Sequence, residues 1–250
     1  MKITPLFQGF PGKMTTGYLG WSSVVLFEQD GRKVLFDTGG IDKRVDLCRD
    51  LHAVGVSEDE IDILVVSHFH VDHVYNFDYF RNAEILLHVN EIAYAEEGKD
   101  PWQPSYMLDA IKRTGRLRGI EDGSMVIPGL TALHLPGHTP GCIGLAAQAD
   151  DGTLTVATGD AVKTLAEMAT GRAPMTIDAE ATLKSVKRVR ALASTVIPGH
   201  DRMLRIERDR VVAVSPTTRT IVIPAGVADP EQPRTIELRL EPTSLPFGFG

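Results

Sequence analysis

The sequence predicts a layered α/β fold, and three features of the chain support this class. Residues 63–66 are four consecutive apolar residues, three of them β-branched, as in a strand that is buried on both faces. Several other short apolar runs end in a glycine followed by a polar residue, which predicts strands that turn sharply at their ends. Amphipathic stretches at residues 42–55 and 178–193 predict helices that pack against a sheet.

Local patterns define the elements of the N-terminal half. Two apolar runs within residues 20–37 flank Asp30-Gly31, a pair that favours a hairpin turn. Gly55 is the expected end of the helix over residues 42–55. Ser57-x-x-Glu60 then predicts a capping box before the central strand. The helix is expected to face the sheet with Val45, Cys48, Leu51 and Val54.

The C-terminal half contains two further predicted helices and two predicted strands. One helix is expected over residues 106–114, and Asp178 is the expected N-cap of the helix that ends near residue 193. Alternating residues at 219–227 and 234–242 predict strands on either side of a proline-rich turn.

The chain length of 250 residues fits one large α/β domain. We expect a single domain with a core at residues 20–205 and a strand-rich extension at residues 206–250. The extension is expected to add a sheet edge or to form the contact of a homodimer.

Composition limits the partners. The net charge is −7, from 26 basic and 33 acidic residues, and no run of Lys or Arg forms a basic stripe, so we expect no nucleic-acid partner. No secretory signal pattern and no bilayer-length apolar segment occur, so we expect a cytoplasmic protein without membrane contact. Cys48 and Cys142 lack metal-type spacing and are expected to be free thiols.

The most informative motif follows the central strand, where His68-x-His70-x-Asp72-His73 places three imidazoles and a carboxylate in one short segment. These are donors that zinc and similar metal ions bind. The alternative is a solvated loop, but such crowding of polar groups beside a buried strand favours a metal site.

Three further strand-like runs end in a metal-type donor: His138, Asp160 and His200, each preceded by glycine. The ends of these strands are expected to meet at one site. By contrast, His88 and His134 alternate with apolar residues, so we expect them to lie on a sheet face and not to bind metal.

The His68-x-His70-x-Asp72-His73 motif and the later Gly-His, Gly-Asp and Gly-His pairs resemble those of the metallo-β-lactamase-fold hydrolase superfamily. The resemblance covers about residues 20–205 and implies a four-layer αββα sandwich. It also implies that Asp37, before Thr38-Gly39-Gly40, orients the metal-binding histidines; the alternative for Asp37 is a cap of the turn.

The resemblance implies a dinuclear centre. Two divalent ions would share a hydroxide that attacks a carbonyl or phosphoryl group, with Asp72 also accepting a proton. Zinc is the expected metal, with iron, manganese or cobalt as alternatives. The implied ligands are His68, His70 and His138 for the first ion, Asp72, His73 and His200 for the second, and Asp160 as the bridge.

Comparison with branches of the superfamily narrows the substrate. Antibiotic-hydrolysing zinc β-lactamases carry Cys or Ser at the place of Asp160, so we do not expect a β-lactamase. Flavodiiron oxidoreductases carry Glu at the place of His70, so we do not expect an oxidoreductase either. The chain is most similar in pattern to N-acyl homoserine lactonases, although these usually carry a tyrosine where this chain has Lys163. Lys163 is therefore a candidate catalytic residue that could stabilise an oxyanion or bind a carboxylate; the alternative is a surface lysine.

We expect a metal-dependent hydrolase of a small-molecule ester, with a lactone as the leading substrate (EC 3.1.1 type). The alternatives are a glyoxalase II-like thioesterase, a phosphodiesterase or nuclease, and a non-catalytic metal-binding sensor. Residues 90–125 lie between the His68–His73 motif and the next expected ligand, His138. In this segment, Trp102, Tyr106 and Met107 are candidates for lining the substrate pocket or for local packing.

Overall fold

The structure is a computed structural model that describes residues 1–214 and 217–249. The strands are β1 (Lys2–Phe7), β2 (Val24–Gln29), β3 (Arg32–Phe36), β4 (Ile63–Val65), β5 (Glu84–His88), β6 (Leu117–Ile120), β7 (Met125–Ile127), β8 (Leu130–His134), β9 (Ile143–Gln148), β10 (Leu154–Gly159), β11 (Thr195–Pro198), β12 (Leu204–Ile206), β13 (Arg210–Ala213), β14 (Thr217–Ile223), β15 (Arg234–Leu240) and β16 (Thr243–Pro246). The helices are α1 (Arg44–Ala53), α2 (Val71–Val74), α3 (Val89–Glu97), α4 (Ser105–Arg113), α5 (Leu165–Thr170) and α6 (Ala179–Leu192).

The strands form two large sheets and a separate hairpin. The first sheet has six strands in the order β1-β2-β3-β4-β5-β6, and β3 to β6 run parallel. The second has eight strands in the order β16-β13-β12-β11-β10-β9-β8-β7, in which β10 and β11 are the parallel pair. Strands β14 and β15 pair with each other, and β13 and β16 extend the edge of the second sheet.

Three apolar clusters separate the layers. The middle cluster lies between the sheets and includes Phe27 and Phe36 of the first sheet and Leu130 of the second. A second cluster packs α1 and α4 on the outer face of the first sheet, and a third packs α5 and α6 on the outer face of the second. The layers therefore run helix, sheet, sheet, helix, which confirms the predicted αββα sandwich.

Helix α1 packs with a face that includes Leu51, as predicted, but otherwise differs from the predicted one. Leu47 and Leu51 are fully buried, whereas Val45 is 79% exposed and Val54 is 37% exposed. Residues three apart drift by about 60° per step around an α-helix, so the ends of the predicted stripe turn toward solvent. Residues four apart stay on one face, and the two leucines are larger apolar groups.

Other local predictions agree with the structure. The Ser57–Glu60 capping box is present, and the Asp178 side chain accepts a hydrogen bond from the Ala181 amide at the start of α6. Cys48 and Cys142 are free. Within residues 1–214 and 217–249, each helix is too short or too polar to cross a bilayer.

His88 and His134 lie on the sheets, as predicted, and they stack on each other. Their ring centroids are 4.0 Å apart and the rings are nearly parallel, at 9°. The amide of Asn90 donates to His88 Nδ1, and His134 Nε2 donates to the carbonyl oxygen of Pro140. Burial, together with the neighbouring His134, lowers the pKa of His88 to about 4. Protonation of His88 is therefore less favourable in the folded chain than in the unfolded chain.

The His88 stack predicts an acid-sensitive contribution to stability. Because the folded-state pKa lies below the ordinary value of 6.5, the unfolded chain binds the proton more readily, and stability is lost as the pH falls from 6.5 toward about 4. His88→Asn keeps an acceptor at this position but removes the titrating ring. The melting temperature of the wild type should fall more steeply over this pH range than that of the variant. Equal slopes would contradict the assignment.

Candidate metal centre

Four loops meet where strands of the two sheets end. Residues 67–73 follow β4 of the first sheet, and the loops after β8, β10 and β11 of the second carry His138, Asp160 and His200. The predicted convergence of these strand ends is therefore present in the fold. Because the sheets are held together by the middle apolar cluster, the packing of the core determines the distances between the loops.

Two glycines allow this close approach. Gly159 has a φ of 50°, and a Cβ atom there would lie 2.5 Å from the Cβ of Ser67. A Cβ atom on Gly199 would lie 2.2 Å from Asp160 Oδ1. Any larger residue at either position would push apart the loops that carry the histidines and the carboxylate.

The predicted donor side chains fall into groups whose ligand atoms lie within 4.8 Å of one another. His138 Nε2 is 3.1 Å from His70 Nδ1. His200 Nε2 is 3.4 Å from Asp72 Oδ2. The groups that could hold a metal ion are His68, His70 and His138; His68, His73 and Asp160; and Asp72, His73 and His200.

Asp160 lies between the group of His68, His70 and His138 and the group of Asp72, His73 and His200. Its Oδ1 atom is 3.3 Å from His73 Nε2 and 3.2 Å from His200 Nε2. Its Oδ2 atom is 3.4 Å from His138 Nε2, on the other side of the carboxylate. One oxygen therefore faces each group, which is the arrangement required of a carboxylate that bridges two cations.

Several buried atoms of these residues have no hydrogen-bond partner. They are His68 Nε2, His73 Nε2 and Asp160 Oδ1, and both histidines are fully buried. A buried polar atom without a partner is costly, so such atoms are rare in folded proteins. A divalent cation bound among them would satisfy all three, and the residues present therefore fit a metal ion.

Burial prepares two of the histidines as neutral donors. It lowers the pKa of His68 well below its ordinary value and that of His138 to about 3. Burial alone would raise the pKa of Asp160, but His200, His73 and His138 hold it well below its usual range. His68 and His138 thus present free imidazole lone pairs beside an ionised carboxylate. Burial alone would lower the pKa values of His73 and His200, but the surrounding carboxylates raise both, so metal binding would displace a proton from these two rings.

Asp37 orients the segment after β4, as predicted. Its Oδ2 atom accepts hydrogen bonds from His73 Nδ1 and Ser67 Oγ, both at 2.8 Å, and Oδ1 accepts from the Ser67 amide at 2.7 Å. With Nδ1 donating to Asp37, His73 presents its Nε2 atom to the site. Asp37 has a φ of 63°, which is strained for a residue other than glycine, and this strain is typical of functional sites.

Two main-chain carbonyl groups orient two other histidines. The oxygen of Trp21 accepts from His200 Nδ1 at 3.0 Å, and the oxygen of Met175 accepts from His138 Nδ1 at 2.8 Å. Sequence analysis did not identify these partners, because any residue type can supply a carbonyl oxygen.

Asp100 is a further orienting carboxylate that sequence analysis missed. Its Oδ2 atom accepts hydrogen bonds from His70 Nε2 at 3.0 Å and from the Tyr94 hydroxyl at 3.1 Å. The hydrogen bond from His70 is the main reason that the pKa of Asp100 is lowered to about 2. The only available signal was a carboxylate beside Pro101 in a segment expected to lie near the site.

Glu91 ties together two of the site loops. Its Oε1 atom accepts from the amide of Phe69, and its Oε2 atom accepts from the hydroxyl of Thr139 and the amide of Gly141. The side chain is fully buried, and burial raises its pKa. Glu91 therefore fixes the backbone beside His70 and His138, and a glutamate on an amphipathic helix gave no signal of this role.

Lys163 is not a surface lysine. Its side chain is 12% exposed, its Nζ atom donates to the carbonyl oxygen of Pro174 at 3.0 Å, and it lies 3.6 Å from Glu167 Oε1. Burial raises the pKa of Glu167 to about 7 even beside this ammonium group. Burial is the largest cause of the lowered pKa of His138, the charge of Asp160 acts in the opposite direction, and the charge of Lys163 lowers this pKa further.

The candidate pocket residues have different environments. Trp102 is 43% exposed, its carbonyl accepts from the Val71 amide of α2, and its ring meets that of Tyr18 edge-on at 5.4 Å. Tyr106 is 71% exposed. Met107 is 8% exposed and belongs to the outer core of the first sheet, so its interpretation as a pocket residue is wrong and that as a packing residue is right.

Comparison with known proteins agrees with this geometry. Residues 18–200 match the model of the metallo-beta-lactamase superfamily. An N-acyl homoserine lactonase from a Bacillus species is 28% identical over 170 residues, which are 66% of this chain and 64% of the lactonase. The match thus spans less than two thirds of the lactonase. Metallo-beta-lactamase domain-containing protein 1 of Xenopus laevis is 30% identical over 190 residues, 72% of this chain and 75% of that protein.

A solved structure of a variant of the Bacillus thuringiensis lactonase AiiA, with N-decanoyl-L-homoserine at its active site, has the same fold. Its TM-score is 0.64 at 22% identity, with 80% of this chain and 92% of that chain covered. The fold of the superfamily implies binding of divalent metal ions, and the groups described above are the candidate ligands. The chain belongs to the metallo-beta-lactamase superfamily of metal-dependent hydrolases.

Proposed function

We propose that this chain is a dinuclear metal-dependent hydrolase that opens a small ester, with a lactone as the leading substrate. The observation that carries the proposal is the position of Asp160, which directs one carboxylate oxygen toward each of two groups of histidines. A carboxylate placed in this way is suited to hold two cations close together.

The proposed ligands follow the grouping of the side chains. Nitrogen and oxygen donors without thiolate favour zinc, with iron, manganese and cobalt as alternatives. His68, His70 and His138 would hold the first ion, Asp72, His73 and His200 the second, and Asp160 would bridge them.

The bound ions would supply Lewis-acid activation of the ester carbonyl and of water at neutral pH. The residues of the chain would orient the groups and move the proton. The Asp72 side chain is 38% exposed and lies 3.4 Å from His200 Nε2, so it is the carboxylate of the site best placed to take a proton and pass it to solvent.

Two features support a lactone or a similar neutral ester. The matching relatives in Bacillus are N-acyl homoserine lactonases. In addition, exposed side chains lie beside two of the site loops. Trp102, whose carbonyl oxygen accepts from the Val71 amide, meets Tyr18 edge-on. The Tyr18 hydroxyl is 4.0 Å from the sulfur of Met175, whose carbonyl oxygen accepts from His138 Nδ1. Aromatic and thioether groups beside the site suit a small organic substrate better than a polyanion.

The proposal is tested by assaying the zinc-loaded protein on a panel of homoserine lactones, thioesters and a phosphodiester, read by proton or thiol release. We expect lactone opening that stops when a chelator removes the metal. Turnover of a thioester or a phosphodiester without lactone opening would overturn the substrate assignment but keep the hydrolase. Metal binding without any turnover would favour a binding role.

Asp100 is predicted to strengthen metal binding by the first group. Asp100→Ala removes the acceptor of His70 Nε2 and should weaken binding of one ion by roughly 10-fold to 100-fold, the usual effect of losing such a partner. Asp100→Asn keeps an acceptor and should lose less. Chelator competition measures the dissociation constants, and unchanged values for Asp100→Ala would show that His70 is oriented by other contacts.

Lys163 is proposed to stabilise negative charge on the substrate oxygen. Lys163→Ala should lower kcat/KM by about 10-fold or more while the metal content stays unchanged, because a hydrogen bond from an ammonium to a developing oxyanion is lost. Lys184→Ala changes an exposed lysine of α6 and serves as the control. Unchanged kinetics for Lys163→Ala would remove this residue from the active site.

A further inference from the structure

The hairpin of β14 and β15 lies beyond residues 18–200, the region that matches the superfamily. Its two strands pair with each other and not with either large sheet. Isolated two-stranded hairpins are marginally stable in water, so contacts between this hairpin and the body of the protein are needed to hold it in place. Those contacts converge on the residues around His200.

Arg219 of β14 makes the first contact. Its guanidinium group lies 5.1 Å from the centroid of the Trp21 ring, a distance at which a cation is attracted to an aromatic face. Its Nη2 atom donates to the carbonyl oxygen of Gln8 at 3.2 Å, and Trp21 Nε1 donates to the same oxygen at 2.9 Å. Arg219 therefore holds Trp21 through both its ring and a shared hydrogen-bond acceptor.

Trp21 connects this contact to the metal groups. Its carbonyl oxygen accepts from His200 Nδ1 at 3.0 Å, which leaves Nε2 of His200 facing Asp160 and Asp72. The same carbonyl oxygen also accepts from the Phe10 amide at 2.9 Å, and the Trp21 amide donates to the Phe10 carbonyl oxygen at 3.0 Å. A shift of Trp21 would therefore move this short main-chain pair and, with it, the imidazole of His200. Lys43 Nζ, 3.9 Å from the centroid of the Trp21 ring, adds a second cation to the same side chain.

Arg202, two residues after His200, makes a second contact with the hairpin. This residue is 6% exposed, and its Nη1 atom donates to the carbonyl oxygens of Leu240 and Glu241, at the end of β15, at 3.0 and 2.7 Å. The hairpin thus contacts Trp21, which orients His200, and Arg202, which follows His200 by two residues. Burial and the nearby Arg202 charge lower the pKa of Arg219, as expected for a cation held largely by a ring and a carbonyl.

We propose that Arg219 is a positioning residue that orients His200 through Trp21, so that the C-terminal hairpin sets the affinity of the second metal group. The inference rests on the proposed metal-binding role of His200. The hairpin lies outside residues 18–200, which match the superfamily, and the inference gives it a role in metal binding.

The test is stepwise binding of Co²⁺ to the full-length protein, with chelator competition to obtain a dissociation constant for each ion. Arg219→Ala should weaken one binding step by roughly 10-fold, the lower end of the effect of losing a partner of a metal ligand. Arg219→Lys keeps a cation over the ring and should lie between this value and the wild type. Arg239→Ala is the matched control, since this arginine lies on the same hairpin, is 76% exposed and pairs with exposed Glu241.

A double-mutant cycle with His200→Ala shows whether the effect passes through His200. In that background Arg219→Ala should cause no further loss of metal affinity. The proposal is overturned if Arg219→Ala binds both ions as the wild type does, or if it weakens binding equally with and without His200. A wild-type chain that takes up a single ion would instead contradict the proposed dinuclear function.

If Arg219→Ala does not fold, as judged by circular dichroism, Arg219→Gln is measured in its place. This variant keeps a donor for the Gln8 carbonyl but loses the charge over Trp21. It should weaken the same binding step, by less than 10-fold, and wild-type affinity for both ions would again overturn the proposal.

Discussion

The structure depends on a buried carboxylate that is surrounded by imidazoles. Asp160 is 5% exposed, and the histidines around it come from loops of both sheets. An ionised carboxylate in this environment needs positive charge close by, and the histidines need a Lewis acid for their free lone pairs. A divalent cation satisfies both needs. The arrangement of these side chains therefore fits a bound divalent cation.

Bringing such groups together costs free energy, and the fold offsets this cost with fixed hydrogen bonds. Four of the histidines bind a partner through one ring nitrogen and direct the other toward the centre: His70 uses Asp100, His73 uses Asp37, and His138 and His200 use main-chain carbonyls. Glu91 joins the loops that carry the first group. Because metal binds the folded chain preferentially, loading the site should also stabilise the fold.

Local sequence patterns predicted a layered α/β fold and the strand ends that meet at its centre, because both depend on short-range signals. The four-layer arrangement itself came from the resemblance of the histidine motif to a known superfamily. A buried strand followed by His68-x-His70-x-Asp72-His73 has few structural interpretations, and the glycine-donor pairs mark the other strand ends. The orienting residues were harder to predict. Asp100 and Glu91 act across the fold, and the Trp21 and Met175 carbonyls carry no sequence signal. The face of α1 was predicted only in part. Leu51 is buried as expected, but a period of three included the exposed Val45 and Val54 and missed Leu47, four residues before Leu51.

The charge distribution explains why a small substrate is proposed. The exposed aromatic side chains of Tyr18 and Trp102 lie beside the site loops, and Lys163 adds a cation held by Glu167 and the Pro174 carbonyl. The central proposal, which does not depend on the substrate, is that Asp160 bridges two metal ions. Elemental analysis of the purified wild type and of Asp160→Ala tests it most directly. The account predicts about two divalent ions per wild-type chain and loss of most bound metal in the variant. A wild type with a single ion, or a variant that keeps both, would contradict it.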